Sequence, residues 1–357
     1  MRKFPCVFMR GGTSKGCMFL ESDLPARDQW DDIFVQAMGS PDPKQIDGMG
    51  GCVSSNNKIV VVRKSDRPGI DVDYIVGQSI VGQSKIDYKS NCGNMTAATA
   101  PYAVEMGLVE DPIKDGQFNN EGTCSIAGVD GTAGELKVNF LDPAGAKTGK
   151  LFPTGNAKEM LDLGELGTIE ATILDVSNPM VLVRAADLGI TGTQLPAEVD
   201  ADKALAAKLE AIRGAACVKM GFAKDPADAT ANSPAVPKVG FVTAPASFTD
   251  ISGKSVDASE MNVCARVISV FKCHKACPLT SASSISVAAF VPGTLVNELV
   301  ALKPGQQTVR IGHPSGVMTM YPYLDDPTKP LNDIVVSGVA VQRTARRIMD
   351  GTLYIRK

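Results

Sequence analysis

The chain has 357 residues, of which 44% are hydrophobic and 21% are charged, and its formal net charge at pH 7 is -3. The 36 basic and 39 acidic residues are spread along the whole length without a polybasic run, and the chain has only six Tyr, twelve Phe and one Trp, so we do not expect nucleic acid as a partner. No apolar run approaches the length of about 18 residues that spans a bilayer, and no signal peptide is apparent, so we expect a cytoplasmic protein with no membrane partner.

The first part of the chain predicts strands and then a helix. Two apolar runs near the N-terminus predict two strands joined by a tight loop around Gly11, Gly12 and Gly16. Residues 58–81 add β-branched stretches that are interrupted by a turn. Residues 95–106, rich in Ala and Met, predict a buried helix.

The second part repeats this order of elements. Residues 141–156 predict a loop, residues 169–184 are strand-like, and residues 201–221 show the clearest helical pattern. An Ala- and Ser-rich helix is predicted near residues 280–290. Each half therefore combines strands with a helix of small residues, which indicates weak internal symmetry.

This symmetry predicts two similar α+β domains. We expect them to comprise residues 1–170 and residues 171–350, with the last strand, residues 351–357, belonging to the first domain. A small-ligand site is expected in the cleft between the domains, where such sites usually lie.

Nine cysteines, an odd number without a disulfide-framework spacing, favour reduced thiols. Cys92 is distinctive because the tetrapeptide NCGN directly precedes the predicted helix at 95–106. Backbone N–H groups and the positive end of a helix dipole would stabilise a thiolate there. The alternative is a thiol that is merely packed at the start of a helix.

Lys58 is a second candidate for acid/base chemistry. It ends the polar segment SSNNK and opens the apolar run IVVV, so its amine would lie where a polar loop enters a buried strand. A desolvated lysine there could act as a general base or as a cation facing a carboxylate. The alternative is a solvated lysine at a strand end.

The glycine-rich loop at residues 11–16 resembles an anion-binding nest, with Thr13 and Ser14 as hydroxyl donors and Arg10 beside them. A tight turn without a ligand is the alternative. Neither a Walker A loop nor a GxGxxG segment is present, so no nucleotide cofactor is expected. Cys273, His274 and Cys277 lack the partner pair of a structural zinc site, so no metal is expected either.

Several segments together are similar to a known family: MRGGTSKG, GSPDPKQIDGMGG, SSNNK, NCGN, LFPTGN, SNPM, GHPSG and RTARRIMDG. In this order they resemble the PrpF-type isomerases, which include methylaconitate and methylitaconate isomerases and oxalomesaconate tautomerases. The resemblance implies an α+β, diaminopimelate-epimerase-like fold, in which two similar domains each wrap a curved mixed sheet around a central helix, with the active site in the interdomain cleft.

The same resemblance implies roles for individual residues. The acid/base groups of the family fall on Lys58 and Cys92, whereas no catalytic role carries over to Cys273 or Cys277. The approach to the lysine, CVSSNNK, departs from the ADPLTSK typical of the family, which predicts a difference in substrate preference. The KCHKA segment looks closer to the methylaconitate and methylitaconate isomerases than to the tautomerases.

We therefore predict a cofactor-independent isomerase that shifts a proton and a double bond, by allylic or cis-trans isomerisation, in an unsaturated di- or tricarboxylate such as 3-methylitaconate or 2-methylaconitate. The alternatives are a 4-oxalomesaconate-type keto-enol tautomerase, an amino-acid racemase or epimerase on the same fold, and a binding protein without activity. A homodimer is left open. The predicted substrate-binding residues are Arg10, Gly12, Thr13, Ser14, Ser55, Asn57, Asn91, Gly93, Asn94, Asn178, His313 and Ser315.

Overall fold

The computed structural model describes residues 1–88, 92–109, 118 and 120–356. The chain divides into two compact units, the first comprising Met1–Val138 with Gln342–Lys357 and the second comprising Asn139–Val341. None of the helices in these described ranges combines the length and the apolar character needed to cross a bilayer.

The first unit contains a six-stranded mixed sheet with the strand order β18-β1-β2-β3-β4-β5. The pairing of β2 with β3 is parallel, and the other neighbours are antiparallel. The strands are β1 (Arg2–Gly11), β2 (Ser14–Leu20), β3 (Lys58–Lys64), β4 (Val72–Ser79), β5 (Ile86–Asp87) and β18 (Ala345–Ile355).

Helices α1 (Trp30–Met38) and α2 (Gly93–Glu105) pack on the two faces of this sheet. Side chains alternate between faces along a strand, so β3 contributes to two separate cores. Ile59 and Val61 join the cluster that contains α1, whereas Val60 and Val62 join the cluster that contains α2. This alternation fixes which β3 side chains can face α2.

The second large sheet has ten strands, in the order β6-β17-β16-β15-β13-β10-β9-β8-β7, with β14 beside β13. Helix α6 packs on β8, β9, β15 and β16, and α4 packs on β7, β9 and β10. The strands are β6 (Leu136–Leu141), β7 (Glu159–Asp162), β8 (Thr168–Val176), β9 (Asn178–Arg184), β10 (Lys238–Thr243), β13 (Val263–Ser269), β14 (Lys272–Cys273), β15 (Val309–His313), β16 (Gly316–Leu324) and β17 (Val336–Arg343); β11 (Phe248–Thr249) and β12 (Ser255–Val256) form a separate hairpin. The helices are α3 (Pro196–Ala201), α4 (Lys203–Lys219), α5 (Pro226–Asn232), α6 (Leu279–Ala288) and α7 (Leu295–Leu299).

The predicted α+β class is confirmed, because each unit has a mixed sheet with a buried small-residue helix packed on it. The predicted helices near 95–106, 201–221 and 280–290 correspond to α2, α4 and α6. The domain boundary predicted at 170/171 falls inside β8, because β7, β8 and β9 pair consecutively with each other and then with β10. The C-terminal strand is β18, which pairs with β1.

One detail of the N-terminal hairpin was predicted wrongly. Gly16 lies within β2 rather than in the loop, where it pairs with Lys58 on β3. A Cβ atom at residue 16 would overlap the carbonyl oxygen of Lys58. Glycine inside a strand often marks such a close approach of two backbones.

Candidate active site

Lys58 is the first residue of β3, and its side chain lies on the face of the sheet that carries α2. It precedes Val60 by two residues, so the two side chains share that face. Lys58 is half-buried, and its Nζ donates a hydrogen bond to Oε1 of Gln78, the residue directly opposite on β4. Gln78 was not predicted from the sequence, because nothing in the segment VGQSIVGQSK distinguishes it from the exposed Gln83.

Cys92 immediately precedes α2, and its own backbone is extended. Its carbonyl oxygen accepts hydrogen bonds from the backbone N–H of Thr96, at 2.9 Å, and from Thr96 Oγ1, at 3.1 Å. The half-buried thiol packs against the cluster that includes Val60 and Met95. Cys92 and Lys58 therefore lie on the same face of the first unit's sheet.

The first turn of α2 is tied to the loop between β1 and β2 through Asn94. The Asn94 amide nitrogen donates to Thr13 Oγ1 at 3.0 Å and to Ser14 Oγ at 3.4 Å. Gly12 has a φ of +51°, and a Cβ atom there would overlap Asn94 Oδ1. The predicted loop residues and the start of the helix are thus brought together by one side chain.

Two arginines support this loop. Arg10 donates to the carbonyl oxygens of Gly12, at 2.9 Å, and Thr344, at 3.0 Å. Burial lowers the pKa of the Arg10 guanidinium, and the neighbouring Arg346 lowers it further. Arg343 donates from Nε to Asn94 Oδ1 at 3.2 Å. The RTARR segment contributed only to the family resemblance, and Arg343 was not predicted to belong to the site.

The segment before Lys58 has a supporting role. Asn57 is fully buried, and its amide bonds the carbonyl oxygens of Gly51 and Val53 and the side chain of Gln45. Ser55 lies in the preceding 3₁₀ turn. Asn57 therefore holds the loop that leads into β3, and its amide is occupied by that loop. Asn91, also predicted to bind substrate, lies outside the described residues.

The remaining predicted residues lie in the second unit. Asn178 begins β9, and its carbonyl oxygen accepts from Ser284 Oγ of α6 at 3.5 Å. His313 and Ser315 form the turn between β15 and β16, where the buried His313 accepts at Nδ1 from the Ser315 N–H at 3.2 Å. Ser315 Oγ donates to the carbonyl oxygen of Lys275, which lies in the loop before α6.

The cysteines near α6 differ from Cys92. Cys273 and Cys277 are both buried, and burial raises the pKa of the Cys273 thiol to about 12. His274, between them, accepts at Nδ1 from the Ala276 N–H at 3.0 Å. Within the described ranges, no group of three or more His, Cys, Asp or Glu side chains is arranged to hold a metal ion.

Comparison with known proteins agrees with the resemblance of the sequence motifs. The model of the family described as PrpF protein matches residues 1–113 and 110–356. The chain belongs to the PrpF family. A solved PrpF-family relative, methylitaconate delta-isomerase, superposes with a TM-score of 0.89 at 35% identity, covering 99% of this chain and 96% of that one. This chain therefore shares the fold of that isomerase, with the expected α+β class and two units that each contain a sheet and a packed helix.

Relatives within the PrpF family carry the names of different reactions. A 3-methylitaconate isomerase of Eubacterium barkeri is 36% identical over 99% of this chain and 98% of its own length. A 2-methyl-aconitate isomerase of Shewanella oneidensis is 35% identical over 99% and 97%, and a 4-oxalomesaconate tautomerase of Pseudomonas putida is 34% identical over 99% and 96%. The predicted enzyme class, an isomerase, is confirmed, and the similar identities do not single out one reaction.

Proposed function

We propose that this protein is a cofactor-independent isomerase that moves a proton, and with it a carbon–carbon double bond, within a small unsaturated di- or tricarboxylate such as 3-methylitaconate or 2-methylaconitate. Lys58 and Cys92 are the acid/base pair. The observation that carries the proposal is that an amine and a thiol lie on one face of one sheet, each at the beginning of its element. Relatives named for reactions of this kind support the substrate class.

The reaction needs a base and a stabilised anion. An allylic hydrogen beside a carboxylate is a weak acid, so its removal requires a positioned base and donors that stabilise the dienolate. One of Lys58 and Cys92 takes the proton, and the other returns a proton to a different carbon, which shifts the double bond. Return to the same carbon after rotation interconverts cis and trans. One C–H bond breaks and one forms, so no oxidant or reductant is consumed.

The start of α2 suits a carboxylate of such a substrate. Helix N-termini present N–H donors and a positive dipole end to anions, and here Gly93 and Asn94 are the first residues of the helix. Because Asn94 donates to the hydroxyl oxygens of Thr13 and Ser14, each hydroxyl keeps its own hydrogen for another acceptor. Both hydroxyls can therefore donate to a bound anion.

Asn178, His313 and Ser315 remain predicted carboxylate-binding residues. Since His313 accepts a hydrogen bond at Nδ1, its neutral ring carries the proton on Nε2 and can act as a donor there. Arg10 and Asn57 act in this proposal by holding loops, since both side chains bond backbone carbonyl groups.

The decisive experiment is proton exchange followed by NMR in deuterated water, with 3-methylitaconate, 2-methylaconitate and 4-oxalomesaconate as separate substrates and with proline and diaminopimelate as amino-acid comparisons. We expect deuterium to enter one of these acids as its double bond moves. Lys58→Met should slow the exchange by about 10²–10⁴-fold, the range associated with a general acid or base. The matched control is Lys64→Met, at the exposed opposite end of β3, which should exchange like the wild type.

Three outcomes would overturn the proposal. A folded Lys58→Met variant with wild-type exchange would remove the lysine from the mechanism. Deuterium entering only an amino acid, such as proline or diaminopimelate, would identify a racemase or epimerase. No exchange into any acid would favour a binding protein without activity. If only 4-oxalomesaconate exchanges, the related keto-enol tautomerase replaces the named substrates.

A further inference from the structure

Gln78 is the side chain that holds the amine of Lys58, and its amide has a fixed orientation. The Gln78 nitrogen, Nε2, donates to the carbonyl oxygens of Ser54 at 3.2 Å, Asn57 at 3.1 Å and Ser79 at 2.8 Å. A carbonyl oxygen cannot donate, so the NH₂ group must face these three acceptors. The amide oxygen consequently faces Lys58, where it accepts the hydrogen bond from Nζ.

The partner that faces Lys58 is neutral. In the described part of the chain, no carboxylate lies within ion-pair distance of Lys58 Nζ. A carboxylate partner would favour the protonated amine strongly, whereas a neutral amide oxygen orients the amine with a smaller preference between its two charge states. An acid/base lysine must pass through both states in each turnover.

The strands on either side of Lys58 and Gln78, β2 and β5, each carry a charged residue. Asp87 of β5 lies opposite Gln78 on its far side, two strands and roughly 10 Å from Lys58 by ordinary strand spacing. On β2, Gly16 faces Lys58, and the neighbouring Lys15 lies over the Phe8 ring. On this face, the titratable side chains in the cluster that contains α2 are the thiol of Cys92, which precedes the helix, and the phenols of Tyr102 in α2 and Tyr74 in β4. Glu105, the last residue of α2, pairs with Arg347.

We propose that Gln78 is a positioning residue that orients the Lys58 amine through a neutral acceptor and separates it from Asp87, so that Lys58 can both release and take up a proton. This inference rests on the proposed function for its catalytic meaning. Its physical content, the dependence of Lys58 ionisation on residue 78, is measurable without turnover.

The test is competitive labelling of lysine amines with acetic anhydride between about pH 6 and pH 11, with the peptide that contains Lys58 quantified by mass spectrometry. In Gln78→Glu, we expect the midpoint of Lys58 labelling to move to higher pH by about one unit or more, since an opposite charge in contact favours the protonated amine. In Gln78→Met, the lost acceptor should move it to lower pH. In Gln78→Glu, a carboxylate oxygen would face the three carbonyl oxygens that Gln78 Nε2 now faces. If that variant fails to fold, Gln78→Met still tests the inference.

The control comes from the sequence itself. Gln83 sits in a second V-G-Q-S segment five residues later, on the exposed turn between β4 and β5, so Gln83→Glu adds the same charge in the same local sequence. We expect no change in the Lys58 midpoint there. An unchanged midpoint in the folded Gln78 variants would overturn the inference, as would an equal shift in Gln83→Glu.

Kinetics then connect this ionisation to catalysis. The limb of the kcat/KM pH profile that reports on Lys58 should move in the same direction as the labelling midpoint in each Gln78 variant. The two proposals fail separately. An active, folded Lys58→Met variant would remove the proposed function whatever Gln78 does, whereas an inactive Lys58→Met variant with unmoved midpoints would remove only the role of Gln78.

Discussion

The two central helices, α2 and α6, occupy comparable places in their units but begin in different chemical surroundings. Helix α2 begins after the half-buried thiol of Cys92, and its first-turn Asn94 bonds hydroxyl groups of a neighbouring loop. Helix α6 begins after Pro278 and the buried Cys277, and residues 281–288 are all buried. The hydroxyl groups of Ser283 and Ser286 bond backbone carbonyl oxygens inside the protein.

This difference shows that a repeated architecture does not repeat the chemistry. Ser283, Ser284 and Ser286 of α6 use their hydroxyls to bond backbone carbonyl oxygens, whereas the buried Ser281 hydroxyl has no hydrogen-bond partner among the described residues. The thiols beside this end of the second unit, Cys273 and Cys277, are buried. The start of α2 instead combines a half-buried thiol, hydroxyls that retain a donor hydrogen, and an amine on the same face of the sheet. The acid/base chemistry is therefore expected from the first unit alone.

The largest effect is expected when the thiol at the start of each central helix is removed by substitution with alanine. Cys92→Ala should lower kcat by about 10²–10⁴-fold, because it removes one member of the acid/base pair. Cys277→Ala is the matched control, and it should keep wild-type turnover with a small loss of stability from the buried cavity. Steady-state kinetics and circular dichroism on both variants provide the measurement. Equal losses of kcat would mean that the two halves contribute alike.

A second test disturbs the contact between α2 and its loop. Gly12→Ala forces a side chain into the left-handed region and against Asn94 Oδ1, so the loop or the helix must move. A misplacement of about 1 Å can cost roughly 10²-fold in rate, and we expect a fall in kcat/KM approaching this size.

The control for that test is Gly107→Ala. Gly107 has a similar φ, +69°, but no atom of the described residues lies within contact distance of an added Cβ. Both variants should lose stability by about 1–2 kcal/mol in urea unfolding, and only Gly12→Ala should lose activity. A Gly12→Ala variant that is as active as Gly107→Ala would show that the loop position is unimportant.

The sequence predicted the elements of the first unit better than their connections. Strong local signals, such as the small-residue pattern at 95–106 and the NCGN segment, placed α2 and Cys92 correctly. Helix α1 was missed, although Asp31 and Asp32 in its first turn and Gly39 at its end are ordinary helix signals. The boundary near 170 was misplaced because strand pairing, which decides it, is a long-range property.

Within the candidate site, the predicted residues were those with a distinctive local pattern. Gln78 and Arg343 had none, since each acts through a partner that is distant in sequence: Lys58 for Gln78 and Asn94 for Arg343. Such pairings depend on strand register and on the return of β18 to the first sheet. Contacts of this kind cannot be predicted from the neighbouring sequence.

The two units also differ in the residues that form the turns between their strands. In the second unit, Val270 and Phe271 join β13 to β14, both with positive φ and both about half exposed. A turn of this kind favours Asn-Gly, and each other residue in the left-handed region costs roughly 1–2 kcal/mol. The first unit uses Gly69, with a φ of +73°, in its β3–β4 turn.

The double variant Val270→Asn with Phe271→Gly should therefore raise the free energy of unfolding by about 1–2 kcal/mol. Urea denaturation measures it, with Gly69→Ala as the opposite change, which should lower the free energy by about 1 kcal/mol. If the double variant is no more stable than the wild type, the strain at this turn is offset by contacts of Val270 and Phe271.

The smallest expected effect is a dependence of stability on pH. It should differ between the units, because both histidines of the chain, His274 and His313, lie in the second unit. Burial lowers the pKa of His274, and the nearby Lys238 lowers it further. As the pH falls through the ordinary histidine value of about 6.5, the unfolded chain takes up a proton that the folded protein does not. The free energy of unfolding of the second unit should therefore fall between about pH 7 and pH 5.

His274→Gln removes this titration, so its urea midpoint should depend less on pH over that interval than the wild-type midpoint does. Hydrogen exchange, corrected for the intrinsic effect of pH, should locate the wild-type loss of protection in peptides from α6 and β10 rather than from β1 to β3. An identical pH dependence in the variant would assign the loss to other groups. Loss of protection in the first unit, which contains no histidine, would remove the contrast between the units.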